Sequence, residues 1–77
     1  MKERLMEILT DLRPDVDFET ETELVSGHIL DSLDIVSIHA EIEDEFDIKI
    51  TPKDFVAENF NSVEALCKMI ERLTGDK

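Results

Sequence analysis

Residues 30–46 read LDSLDIVSIHAEIEDEF, the most regular helical pattern in the 77-residue chain. Asp31 is expected to cap a helix from Ser32 to Phe46, with Leu30 and Ile35 at the spacing of a hydrophobic staple. At 100° per residue, one set of apolar residues falls within an arc of about 80° and predicts the core-facing side. This set is Ile35, Ile38, Ile42 and Phe46.

Ser32 would be the first residue of this helix. Free backbone N–H groups and the positive end of the helix dipole favour a phosphate ester at that position, although a serine there can also simply start a helix. A second stripe lies beside the serine and has no obvious place in the core. It is either ordinary surface or a docking strip of small aliphatic residues edged by carboxylates. Its members are Leu33, Val36, Ala40, Glu43 and Asp44.

The chain before this helix predicts a shorter helix and a long connection. Apolar residues in 2–12 recur at helical spacing, and Pro14 is expected to end that helix. Residues 13–30 are long for a loop, but they hold too many apolar residues for a free linker. We expect these to pin the loop across the helices: Val16, Phe18, Leu24, Val25, Ile29 and Leu30. Gly27 is expected to supply a turn.

Two further helices are predicted after residue 50. A short one should begin at Thr51, with Thr51 as cap, Pro52 in the first helical position and Ile50 and Phe55 as a staple. The last helix should start at Asn61 or Ser62, either of which can act as the cap. Gly75 is expected to end it, and its inner stripe is Val63, Leu66, Cys67, Ile70 and Leu73. The fold class is therefore all-α. We expect one domain over 1–77, a small four-helix bundle of three longer helices and one short helix, with a long loop between helices 1 and 2.

Composition restricts the function. The formal net charge is −12, so nucleic acid is a poor partner and basic proteins are better ones. The single cysteine excludes an internal disulfide, no Cys/His cluster has metal-site spacing, and no apolar run suits a signal peptide or membrane span. We therefore expect a cytoplasmic monomer without a metal site. Cys67 is expected to be a packed small hydrophobe rather than a reactive thiol.

An enzyme is not expected. Ser32 with His28 or His39 and an aspartate could suggest a hydrolase, but the nucleophile-elbow motif is absent and a small bundle offers little room for an enclosed site. His39 is expected to be a partly buried structural residue and His28 a loop residue. A calcium-binding loop starting at Asp15 fails at its sixth and twelfth positions.

Residues 27–36, read with residues 41–46, resemble the attachment region and second helix of acyl carrier proteins. The resemblance covers nearly the whole chain, including the long loop, the acidic character and the short third helix. In that family, the serine of the Asp-Ser-Leu motif receives 4′-phosphopantetheine from coenzyme A through a phosphopantetheinyl transferase. The thiol of this covalent cofactor then carries acyl groups as thioesters.

Carried over to this chain, the resemblance makes Ser32 the attachment residue and the chain a phosphoprotein. Asp31 and Leu33 flank the modification site, and Asp31 would help the transferase engage, through the magnesium ion that the reaction uses. The second helix resembles the family's recognition helix, so its outer stripe is expected to face acyl- or aminoacyl-activating and acyl-transferring enzymes with basic docking patches. The carrier itself would catalyse nothing.

The resemblance is compatible with more than one kind of cargo. Bulky Ile29-Leu30 stands where the fatty-acid-synthesis pattern has a small pair, and Ser37 and Ala40 also depart from it. Residues 27–33, 51–55 and 58–60 are more similar to D-alanyl carrier proteins and to stand-alone carriers of specialised pathways. Three hypotheses follow: an acyl carrier in fatty acid biosynthesis, as part of lipid metabolism, or in related specialised biosynthesis; a D-alanyl or other aminoacyl carrier; and, from another class, a non-modified helical interaction protein.

Overall fold

The computed structural model describes residues 2–75, which form four helices and no strand. These are α1 (Lys2–Leu12), α2 (Ser32–Phe46), α3 (Ala57–Phe60) and α4 (Val63–Thr74). The prediction of an all-α bundle with three longer helices and one short helix is confirmed, and the predicted bounds of α1 and α2 match the structure.

The core lies where α1 packs against both α2 and α4, while α3 packs against α4. The predicted inner faces are confirmed at their centres: Ile38 and Ile42 of α2 are buried, with Ile35 and Phe46 partly buried at the ends. In α4, Met69 is fully buried although it was not among the residues predicted for the inner face. The other helical residues that are buried are Leu5, Ile8, Leu9, Phe60, Val63, Leu66 and Ile70.

The long loop between α1 and α2 is anchored in the core, as predicted. Three of its apolar side chains are buried, namely Phe18, Leu24 and Leu30, and the other three pack against the core from partly buried positions. Removing these side chains from water offsets part of the entropy lost when so long a segment is ordered.

The junction between α3 and α4 holds the loop by hydrogen bonds. The Asn61 side-chain oxygen accepts from the backbone N–H groups of Val25 and Ser26, at 3.0 and 2.9 Å. The Asn61 amide nitrogen donates to the Ser26 hydroxyl at 3.0 Å, and the backbone N–H of Leu24 donates to the Asn61 carbonyl at 2.9 Å. We call these four bonds the Asn61 clamp.

A turn forms around Gly27, as predicted. Its backbone lies so close to the Glu23 carbonyl that it leaves no room for a side chain. The Gly27 N–H donates to the carbonyl of Glu23 at 2.7 Å, and a Cβ at position 27 would lie 2.7 Å from the same oxygen. The left-handed residue of this turn is His28, with φ of 60°. A non-glycine residue there carries a conformational cost.

The prediction that the short helix begins at Thr51 is wrong. Residues 52–54 form a turn in which Thr51 Oγ1 donates to an Asp54 carboxylate oxygen at 2.9 Å instead of capping a helix. Val56 is extended, and α3 starts only at Ala57. The Phe55 ring packs against His39 of α2 with ring centroids 5.3 Å apart, and edge-on against Phe60 at 5.2 Å. The contact with α2 is tertiary, and it outweighs the weak preference of so short a segment for helix.

The last helix has the second of its two predicted caps. The Ser62 hydroxyl accepts from the backbone N–H of Ala65 at 3.0 Å, because the Asn61 side chain is already engaged in the clamp. Gly75 ends the helix as predicted, with its N–H donating to the Glu71 carbonyl.

Candidate functional site

Ser32 is exposed and is the first residue of α2. Asp31 caps this helix, as predicted, and Asp34 completes a capping box. An Asp31 carboxylate oxygen accepts from the Asp34 N–H at 2.8 Å, and an Asp34 carboxylate oxygen accepts from the Asp31 N–H at 3.2 Å. The serine hydroxyl therefore sits on a backbone that is fixed on both sides.

The first turn of α2 can accept an anion. The capping box takes up the N–H of Asp34, whereas the N–H groups of Ser32 and Leu33 belong to the turn in which a helix has no internal acceptors. With the positive end of the helix dipole, they favour a phosphodiester on the Ser32 hydroxyl. The local chemistry fits a phosphopantetheine group esterified to this serine.

Arg13 connects the end of α1 to the start of α2. Its guanidinium donates from Nε and Nη2 to the two carboxylate oxygens of Asp15, at 3.0 and 2.9 Å. Nη1 donates to the Ile29 carbonyl at 3.3 Å and also to Asp34. Hydrogen bonding to the guanidinium is the main cause that lowers the pKa of Asp15, and the carboxylates in turn raise the pKa of Arg13.

The predicted docking strip is largely exposed. Leu33 and Val36 are 78% and 57% exposed, high values for large aliphatic side chains, and Ala40 and Asp44 are exposed as well. Two large apolar side chains near the start of α2 are therefore left in contact with water. The four lie on the outer side of the same helix that presents Ser32.

Glu43, the fifth residue predicted for this strip, is placed differently. One of its carboxylate oxygens accepts from the backbone N–H of Ile50 at 2.8 Å and lies 3.3 Å from His39 Nε2. The hydrogen bond from Ile50 is the main cause that lowers the pKa of Glu43, with further lowering by His39 and Lys49. Its carboxylate therefore anchors the segment after α2, and Asp44 is the freer charge for a partner.

The two histidines lie where the sequence suggested. His39 is partly buried, and its ring packs against Phe55 with centroids 5.3 Å apart. His28 is exposed in the loop. Among residues 2–75, neither histidine has a hydrogen bond to the other or to Ser32.

An apolar pocket of about 190 Å³ opens between the loop, α2 and α3. Ile35, which lies three positions after Ser32 on α2, lines it, and residues three apart are neighbours on a helix surface. The other residues of its wall are Val25, Phe55, Val56, Ala57 and Phe60. The Asn61 clamp holds Val25 in place on this wall.

Other candidate sites carry less chemistry. Cys67 packs partly buried against the core, and burial raises the pKa of its thiol, as expected for a structural cysteine. No group of three or more His, Cys, Asp or Glu side chains within residues 2–75 is placed to hold a metal ion. Over the same range, none of the helices has the length and apolarity needed to cross a membrane.

Three contributors to the site were missed in the sequence. Asp34 could have been found, because an acidic residue three positions after a capping aspartate is the spacing of a capping box. Arg13 and Asn61 gave no such local signal, since the partners of their side chains are up to 21 and 36 positions away along the chain.

Comparison with known proteins gives a family match. The family model described as phosphopantetheine attachment site matches residues 3–70. No curated protein and no solved structure matches the chain. The matched range spans all of α1 but its first residue, the long loop, the whole of α2 with Ser32, the whole of α3 and most of α4.

Proposed function

The chain belongs to the phosphopantetheine-attachment family of carrier proteins, and from this premise we propose that Ser32 is the residue that receives the 4′-phosphopantetheine. The observation that carries the proposal is the exposed serine in the first position of a helix whose start is fixed by a capping box. In the transfer, the Ser32 oxygen forms a bond to the phosphorus that bears the pantetheine arm. The pyrophosphate bond of coenzyme A breaks, 3′,5′-ADP leaves, and the hydroxyl proton is lost to a base of the transferase.

The bound group supplies a thiol that holds acyl or aminoacyl cargo as a thioester. The chain's own residues present the attachment point and a surface for partner enzymes, so we propose a carrier role without catalysis. Asp31, exposed beside the serine, is proposed to engage the transferase, through the magnesium ion that the reaction uses. Leu33, on the other side, is proposed as an apolar contact for the same enzyme.

Intact-mass measurement tests the attachment site. The purified protein is incubated with coenzyme A, magnesium and a broad-specificity phosphopantetheinyl transferase, beside a Ser32→Ala variant and a Ser37→Ala variant. Ser37 is a matched control because it is also an exposed serine of α2. The expected result is a gain of one phosphopantetheine by the wild type and by Ser37→Ala, and none by Ser32→Ala. A folded wild type that stays unmodified with two different transferases would instead support a helical interaction protein without the group.

The size of the pocket bears on the cargo. At about 190 Å³ it is smaller than the roughly 300–1,000 Å³ of pockets that enclose drug-sized ligands. We therefore favour a short acyl or aminoacyl group over a long fatty chain, within a specialised pathway or D-alanine transfer rather than fatty acid biosynthesis. Loading the pantetheine thiol with acyl groups of increasing length tests this choice. The melting temperature should rise over the first few carbons and then level off, and a continued rise with long chains would favour fatty acid biosynthesis.

Partner enzymes are proposed to dock on the outer face of α2, where Leu33 and Val36 supply apolar contact and Asp44 supplies charge. Because oppositely charged surfaces steer association, the on-rate for a partner enzyme should fall as salt is raised. Asp44→Lys should lower the on-rate at low salt. Glu71→Lys, a charge reversal at an exposed position on α4, is the control and should have a smaller effect. An on-rate that is unchanged both by added salt and by Asp44→Lys would argue against this docking face.

A further inference from the structure

We propose that Arg13 is a positioning residue for the modification of Ser32, an inference that rests on the proposed function. Arg13 directly follows α1, where its backbone N–H still donates to the Leu9 carbonyl at 2.9 Å. Its side chain is 27% exposed and reaches from this fixed point to the start of α2. The Arg13 side chain therefore links the position of α1 to the geometry around Ser32.

The Arg13 guanidinium contacts residues on both sides of Ser32 in the sequence. Ile29, whose carbonyl accepts from Nη1, precedes the serine by three residues, and Asp34, which pairs with the same nitrogen, follows it by two. One rigid planar group thus joins the last part of the loop to the first turn of the helix. The two bonds to Asp15 orient the guanidinium plane, so it acts as a fixed brace.

The brace acts on the capping box directly. The Asp34 oxygen that pairs with Arg13 is also the one that accepts from the Asp31 N–H at 3.2 Å. Asp34 is only 18% exposed, and a carboxylate with so little access to water needs hydrogen-bond donors from the protein in place of the water it has lost. Without Arg13, Asp34 would tend to turn toward solvent, and the Asp31 N–H would lose its acceptor.

Charge gives a second reason for an arginine here. Ser32 lies between two carboxylates of the capping box, and both would repel the negatively charged phosphorus group that the serine must approach. Pairing Asp34 with Arg13 offsets one of these charges close to the reaction. A lysine would keep the charge but would lack the planar fork that holds Asp15, Asp34 and Ile29 together.

The loss of Arg13 should leave the helix start ordered for only part of the time. A transferase that acts only on the ordered start then finds a smaller fraction of the carrier molecules in that state. This raises the apparent KM and leaves kcat unchanged. Since a hydrogen bond to a charged group is worth roughly a factor of ten or more, we expect Arg13→Ala to raise the KM for the carrier by up to about tenfold. Arg13→Lys should give a smaller rise.

A matched control separates positioning from general stability. Arg4 also joins α1 to α2, through an ion pair of 2.9 Å with Glu45 at the far end of α2, and it pairs with Glu7 within α1 at 2.9 Å. The transfer of phosphopantetheine from coenzyme A is followed by intact mass for wild type, Arg13→Ala, Arg13→Lys and Arg4→Ala. Backbone hydrogen exchange in the unmodified proteins then reports the order of the helix start directly.

The expected result is a raised KM with unchanged kcat and faster exchange at the Asp34 and Ile35 N–H groups in Arg13→Ala, a smaller change of the same kind in Arg13→Lys, and no change in Arg4→Ala. A double-mutant cycle with Asp34→Asn should show that Arg13→Ala costs less once Asp34 is neutral. Equal KM values for wild type and Arg13→Ala would overturn the inference, and so would an equal rise in Arg4→Ala. A wild type that is not modified at all would overturn the proposed function together with this inference, so the two failures are distinguishable.

Discussion

Asn61→Ala should destabilise the fold, because it breaks three of the four hydrogen bonds of the Asn61 clamp. It removes the acceptor for the Val25 and Ser26 N–H groups and the donor to the Ser26 hydroxyl, while the backbone bond from Leu24 to residue 61 is kept. The Ser26 groups are exposed and regain water, so they contribute little. The Val25 N–H is partly buried and loses its acceptor, which brings the total loss in unfolding free energy to about 2 kcal/mol.

For a domain of this size, a loss of about 2 kcal/mol lowers the melting temperature by about 10 °C. Far-UV circular dichroism is the suitable probe, because the chain has no tryptophan or tyrosine for fluorescence. Chemical denaturation gives the unfolding free energy directly, and the denaturant slope should be the same for all variants.

Two variants test the reasoning behind this magnitude. Asn61→Asp keeps an oxygen acceptor for both N–H groups, so at neutral pH it should retain most of the stability. Ser26→Ala removes only the hydroxyl and should stay within about 0.5 kcal/mol of the wild type. If Asn61→Ala lowers the free energy of unfolding no more than Ser26→Ala does, the loop is held by its buried apolar side chains alone. The clamp would then contribute nothing to stability.

Three further outcomes are expected. His28→Gly should raise the unfolding free energy by about 0.5 kcal/mol in chemical denaturation, because glycine accepts the left-handed φ of 60° at less cost, and any decrease would contradict this. Glu43→Gln should be less stable than the wild type above the ordinary glutamate pKa of 4.5, because the Ile50 N–H lowers the pKa of Glu43. The difference between the two should vanish as pH falls below the lowered pKa, and a difference that persists or grows in acid would refute the assignment. Added salt or divalent cations should raise the melting temperature by screening a net charge of −12, and no rise would mean that the carboxylates are spaced too widely to repel.

The parts of the candidate site that depend on residues close together in the sequence could be predicted. Asp31 and Ser32 are neighbours at a helix start, and capping preferences together with helical periodicity were enough to place both. The exposed stripe of Leu33 and Val36 followed from the same periodicity. Glu43 shows the limit, because its angular position on α2 did not reveal that the N–H of Ile50 would draw its carboxylate toward the following segment.

The sequence alone determined the three longer helices, the cap of α2, the end of α4 and the anchoring of the long loop. Each depends on residues within a few positions of one another, where propensity, capping and periodicity act directly. Only the tertiary structure decided where α3 begins, how Asn61 clamps the loop and how Arg13 reaches Asp34. These features depend on side chains that meet only after the helices have packed, and the free energy of those contacts outweighs the small local preferences that a sequence displays.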